Sequence, residues 1–202
     1  MAFDIKSLFT RSQKPIIVVS GLPRSGTSMM MKILDAGGLE ILTDNLRTAD
    51  NDNPKGYFEF ELVKKLPEGT TDWLKDSGGK AVKIISFLLQ YLPANYHYKI
   101  IFMRRAIDEI LASQTQMLTN RKESKKTDDE NMVETYQEHL KRTRVWLANQ
   151  NNMQILYIDY NELIKSPRFQ IEKVFDFLAL PLDLQKMLEV PDASLYRQRK
   201  QS

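Results

Sequence analysis

The chain has 202 residues, 42% of them hydrophobic and 27% charged, which is enough for residues 1–202 to bury the core of one ordinary domain. It contains no cysteine, which excludes disulfides and cysteine-rich zinc sites. A net charge of +3 suits an anionic ligand but is too small to argue for nucleic acid. The N-terminus lacks the apolar run of a signal peptide, and no stretch approaches the roughly 20 apolar residues of a membrane span. A cytoplasmic protein without a membrane partner is expected.

Strand-like apolar runs occur over 16–19, 81–85, 99–103 and 154–158, each followed by residues with helical spacing. After the first run, Met29, Met30, Ile33 and Leu34 share a helical face, and Gly37-Gly38 ends that helix. The stretch 43–56, rich in Asp, Asn and Pro, reads as a loop placed early enough to cover whatever lies beyond the first strand. Ile107, Ile110, Leu111, Met117 and Leu118 form a second stripe. A mixed-charge run over 121–130 predicts a solvated loop, followed by a long helix over 132–149 and a last stripe at Ile171, Val174, Phe175 and Leu178. This alternation predicts an α/β fold of three layers, α/β/α, with a central parallel sheet.

The stretch Ile16-Ile-Val-Val-Ser-Gly-Leu-Pro-Arg-Ser-Gly-Thr-Ser28 carries the most chemistry. It reads as a buried strand, a phosphate-cradling turn and a helix start. Gly21 and Gly26 have the spacing of G-x-x-x-x-G-K-[ST], in which backbone N–H groups wrap phosphates and the lysine reaches the terminal ones. Thr27 stands where the lysine should be. The cation moves to Arg24, inside the loop, while the hydroxyl of Ser28 is kept. An ordinary strand-to-helix turn with a solvent-facing arginine is the plainer alternative, and it requires two glycines, two hydroxyl residues and an apolar strand to coincide.

Pro23-Arg24-Ser25-Gly26-Thr27-Ser28 resembles the P-[KR]-[ST]-G-T-[ST] loop of the sulfotransferase family. That resemblance implies a P-loop nucleotide-binding fold and places the 5′-phosphosulfate of 3′-phosphoadenosine 5′-phosphosulfate (PAPS) on these residues. A second element, Arg105 through Ser113 after the strand over 99–103, is similar to the family's R-x7-S, which binds the 3′-phosphate of PAPS. Eight helical residues rise about 12 Å, so the two side chains converge only if Arg105 folds back along the helix flank. Arg104 is an adjacent cation. Residues 155–167 resemble the strand and turn v-x-Y-E-D-L-x-x-x-P, a structural element, and Tyr196-Arg-Gln-Arg-Lys200 lacks the glycine of the family's R-K-G.

Sulfuryl transfer needs in-line positioning, charge stabilisation on the leaving phosphate and a base for the acceptor. By resemblance Arg24 meets the leaving-group charge, and no metal is expected. Many cytosolic members carry a histidine base in a K-x-H segment. In Val82-Lys-Ile-Ile-Ser86 the place of that histidine is taken by Ile85, and the two histidines, His97 and His139, lie outside every motif. Tyrosylprotein and heparan sulfotransferases use glutamate instead. Asn53-Pro-Lys-Gly-Tyr-Phe-Glu-Phe-Glu61 resembles the N-P-x-G-[YF]-x-E stretch of soluble relatives and points to Glu59 as the base.

Lys83 supports the leaving group or the acceptor, or else caps the sheet end. Tyr57, Phe58, Trp73 and Phe87 are available to line an acceptor pocket or stack on adenine. The acceptor class expected is a small molecule or glycan. Two other readings stay open: a P-loop kinase or NTPase, which should need the missing lysine and an acidic magnesium partner, and a module that binds PAPS or another phosphate without turnover.

Overall fold

The computed structural model describes residues 14–44, 58–120 and 129–191. The loop expected over 43–56 beyond Asp44, Tyr57, the charged run over 121–128 and the basic segment following Pro191 lie outside the described residues. Four strands form one parallel sheet: β1 (Ile16–Gly21), β2 (Ala81–Lys83), β3 (Tyr98–Arg104) and β4 (Met153–Asp159). Among the described residues six α-helices accompany them: α1 (Thr27–Ala36), α2 (Ile107–Asn120), α3 (Asp129–Ala148), α4 (Tyr160–Lys165), α5 (Pro167–Leu178) and α6 (Leu184–Leu188).

The period of two along β1 sorts the core into two faces. Ile17 and Val19 pack with Met30, Met31, Ile33 and Leu34 of α1 and with Ile171, Val174 and Leu178 of α5. Ile16 and Val18 pack on the other face with Leu66, Leu74, Leu89 and Leu147 of α3. With both faces covered, β1 is buried at every position, which is why it reads as a continuous apolar run. The expected three-layer α/β/α arrangement with a central parallel sheet is the observed one.

Strand order is β2-β1-β3-β4. The chain steps from β1 to one neighbour and then crosses to the other, so the switch point falls between β1 and β3. Ligands of open parallel sheets bind beyond the carboxyl ends of the strands at such a point. Here Gly21 is paired in register with Met103, and Arg104 and Arg105 follow immediately. The lysine-free loop and the arginine strand tip are thereby brought together by topology alone.

Two expectations differ in detail. β2 ends at Lys83, and the segment after it is a 3-10 turn, Ser86–Tyr91, instead of an α-helix. Its bonds run from Leu88 N–H to the carbonyl of Ile85 (2.9 Å) and from Leu92 N–H to that of Leu89 (3.1 Å), and Pro93 then stops it. Further 3-10 segments lie at Glu61–Glu68, where Leu62, Val63 and Leu66 share a face up to Pro67, and at Asp72–Asp76; neither was anticipated from the sequence. At the opposite end of the sheet, Lys99 Nζ donates to the carbonyls of Phe177 (2.8 Å) and Leu178 (2.9 Å), capping the C-terminus of α5. Among the described residues no helix is long and apolar enough to cross a membrane.

Candidate functional site

The loop after β1 is shaped by two close approaches. A Cβ on Gly21 (φ 146°) would stand 2.6 Å from the Met103 carbonyl oxygen and 2.5 Å from Ser25 Oγ. One on Gly26 (φ 99°) would meet Tyr160 Cδ2 at 2.4 Å. Both positions therefore require glycine. Between them Arg24 adopts φ 69°, a left-handed conformation that costs a side-chain-bearing residue about 1–3 kcal/mol and persists only where the surroundings impose it.

α1 then begins at Thr27 with neither a side-chain cap nor an acidic residue in its first turn. Its dipole accordingly favours an anion supplied from outside. Ser25 Oγ lies buried in the loop without a hydrogen-bond partner. An orphaned hydroxyl beside a left-handed turn and an uncapped helix start fits a phosphate oxygen.

The two cations singled out from sequence meet here. Arg105 Nη1 donates to the carbonyl of Arg24 at 3.2 Å, and Arg24 Nε donates to Ser113 Oγ at 3.0 Å. The resemblance pairs Ser113 with Arg105, but in the structure the Ser113 hydroxyl accepts from the loop arginine instead. Arg105 Nε donates to Glu109 Oε2 at 2.9 Å, and both of these side chains are only 7% exposed. The Arg105 guanidinium also lies 4.5 Å from the centroid of the Tyr160 ring. Burial pushes the Tyr160 phenol above its usual value, against the opposing pull of Arg105. Arg104 turns outward over Tyr157, 5.5 Å from its ring centroid.

Glu59 and Lys83 are brought together elsewhere on the same edge. Lys83 is in register with Val19, one strand over from β1 and two residues short of Gly21, and its Nζ is 4.0 Å from Glu59 Oε1. The Glu59 carbonyl is held by Thr43 Oγ1 (3.0 Å) and by the N–H of Asp44 (3.2 Å). Trp73, half-buried, packs edge-on against Phe60 at the margin of one core face (5.4 Å between centroids). Phe58 packs at the margin of the other core face.

Sequence motifs left His139 unplaced. The structure sets its Nε2 at 2.8 Å from Ser86 Oγ and 3.3 Å from Thr143 Oγ1, with the ring stacked on Phe87 at 3.7 Å. Ser86 is three residues beyond Lys83, so a histidine from α3 reaches the end of β2 after all. Burial lowers its pKa and favours the neutral ring.

Three further residues were missed. Glu109, Tyr160 and Asn161 surround Arg105, with Asn161 Nδ2 donating to Glu109 Oε1 at 3.0 Å. The i,i+4 spacing of Arg105 and Glu109 was a readable sign. Tyr160 and Asn161 belong to the turn matched as purely structural, and no local pattern places them under the loop.

Comparison with known proteins agrees with this architecture. No curated protein matches the chain at a significant level. Among solved structures, sulfotransferase STF1 from Mycobacterium tuberculosis H37Rv is similar with a TM-score of 0.61 and 16% identity, over 89% of this chain and 72% of that one. The sulfotransferase domain from the curacin biosynthetic pathway matches with a TM-score of 0.51 and 15% identity, over 89% and 78%. Mouse sulfotransferase SULT7A1, complexed with PAP, matches with a TM-score of 0.50 and 16% identity, over 89% of this chain and 63% of that one, so the present chain spans less than two thirds of the mouse enzyme. Identities this low establish the fold. The family model of the sulfotransferase domain matches residues 14–202, from just ahead of β1 to the last residue, and by that match the chain belongs to the sulfotransferase family.

Proposed function

We propose that the chain moves a sulfuryl group from PAPS to a hydroxyl or amine acceptor by in-line displacement. The observation that carries this reading is the convergence of Arg24, Ser113 and Arg105 at the switch point of the sheet, where a doubly phosphorylated nucleoside would need cations from two separate loops. The buried, unpartnered Ser25 hydroxyl and the uncapped start of α1 fit the 5′-phosphate. PAPS supplies an activated sulfuryl group on a phosphate leaving group.

The residues divide the work. Gly26, Thr27 and Ser28 present backbone N–H groups and hydroxyls at the helix start. Arg24, anchored by Ser113, balances negative charge on the departing phosphate oxygen. Arg105 and Ser113 serve the 3′-phosphate, and Arg105 also holds the Arg24 carbonyl. Glu59, beside Lys83, takes the acceptor proton while the new bond to sulfur forms and the old S–O bond breaks. The acceptor is a small molecule or glycan.

A P-loop kinase is disfavoured by Thr27 in the lysine position and by arginines at the β3 tip. Calorimetry separates the readings. Binding of 3′-phosphoadenosine 5′-phosphate (PAP) in preference to magnesium ATP, lost in Arg105→Ala, is the expected result; preference for ATP rejects the proposal. Consumption of PAPS in a screen of hydroxyl and amine acceptors then distinguishes an enzyme from a binding module.

A further inference from the structure

Among the described residues, three contacts hold Arg105. Its Nε donates to Glu109 Oε2, its Nη1 to the Arg24 carbonyl, and its face lies on Tyr160. Because the guanidinium is planar and rigid, these contacts fix its plane and with it the directions of its N–H groups. Glu109 is itself oriented from the far side. Asn161 Nδ2 donates to Glu109 Oε1 at 3.0 Å, so one carboxylate oxygen serves the arginine and the other serves the amide.

The Asn161 amide reveals how strongly this arrangement is imposed. A carboxylate oxygen only accepts, so the amide must present its NH2 group, and its Oδ1 is left buried with no hydrogen-bond partner. Native structures leave few such atoms, and each needs a reason. The reason on offer here is the lock on Glu109. Tyr160 and Asn161 start α4, whose N-terminus is fixed by Asp159 accepting from the N–H groups of Asn161 (3.0 Å) and Glu162 (3.2 Å). Asp159 is paired in register with Arg104, next to Arg105. The path from the start of α4 to the tip of β3 is thus a continuous set of hydrogen bonds.

We infer that Glu109 and Asn161 are positioning residues for the 3′-phosphate end of the donor, acting through Arg105. This rests on the PAPS reading above and adds to it a determinant of discrimination between 3′-phosphorylated and plain adenosine nucleotides. A carboxylate beside a phosphate site also repels the phosphate, so a variant that removes its charge would mix two effects. Glu109→Asp avoids this: the charge stays, but the shorter side chain cannot reach Arg105 and Asn161 together.

The test is calorimetric, on the full chain, with PAP and adenosine 5′-phosphate as probes and thermal unfolding as a check on folding. Wild type is expected to prefer PAP. Glu109→Asp should lose about tenfold in PAP affinity, the size of one charge-assisted hydrogen bond, and Asn161→Ala about threefold, while adenosine 5′-phosphate binding stays within about twofold in both. Should Glu109→Asp fail to fold, Asn161→Ala decides alone. Unchanged PAP affinity in the folded variants, or equal losses for the two nucleotides, overturns the inference and leaves the donor reading standing. A wild type that does not distinguish the nucleotides brings down the donor reading, and this inference with it.

Discussion

Arg24 Nε and Ser113 Oγ are joined by a 3.0 Å hydrogen bond across 89 residues of sequence, so the loop after β1 and the middle of α2 act as one wall of the site. Arg24 itself is in a left-handed conformation (φ 69°), with its carbonyl held by Arg105 Nη1 at 3.2 Å. Replacement by alanine removes the guanidinium but keeps the backbone strain; replacement by glycine removes both. Arg24→Gly should therefore be more stable than Arg24→Ala by about 1 kcal/mol, with turnover lost equally in both. Denaturant unfolding alongside a PAPS-consumption assay checks this. If the alanine variant is as stable as the glycine variant, the strain is not real.

The Glu59 and Lys83 pair sits one strand away from that wall, 4.0 Å apart. A group that only removes the acceptor proton should matter to the chemical step and not to donor binding. Glu59→Gln is expected to lower kcat by about 10²–10⁴, the usual range for a general base, and to leave PAP affinity within about twofold. A variant with full turnover would remove Glu59 from the mechanism. His139, on Ser86 at the end of β2, would then be the next candidate base to test.

What could be read from the chain divides along a physical line. All four strands and the helices carrying α1, α2, α3 and α5 were legible because burial on both faces of the sheet writes long apolar runs and 3.6-residue stripes. The loop residues were legible because Gly21 and Gly26 answer to local backbone needs. The 3-10 segments were not, since each is only five to eight residues long and the one clear apolar face, Leu62, Val63 and Leu66, is cut off at Pro67. Nor were the contacts that pair distant side chains. Ser113 had no local reason to face Arg24, and His139 looked unplaced because only the packing of α3 against the Ser86–Tyr91 turn brings it to β2.

The helix end at Ala179 offers a stability test remote from the site. Ala179 terminates α5 at φ 52° and ψ 45°, with its N–H bonded to the Phe175 carbonyl at 3.0 Å. Glycine is the usual residue in that left-handed position. The change relieves about 1–2 kcal/mol of steric strain and adds about 0.5–1 kcal/mol of chain entropy to the unfolded state. Ala179→Gly should thus raise stability by about 0.5–1 kcal/mol without altering PAP binding. A lower denaturation midpoint in this variant would contradict the assigned cap.

Stability should also fall on mild acidification because of His139. Burial against Phe87, Ser86 and Thr143 disfavours the charged ring, so the folded pKa lies below the ordinary value of 6.5. Below that value the unfolded chain binds the proton more readily than the folded one. The contribution of His139 is therefore complete above the unfolded pKa and is lost as pH falls through the depressed folded value. Urea unfolding at about pH 7.5 and about pH 5 should show a smaller acid-induced loss in His139→Gln than in wild type. An identical loss in the two proteins would mean that the ring is not buried against the end of β2.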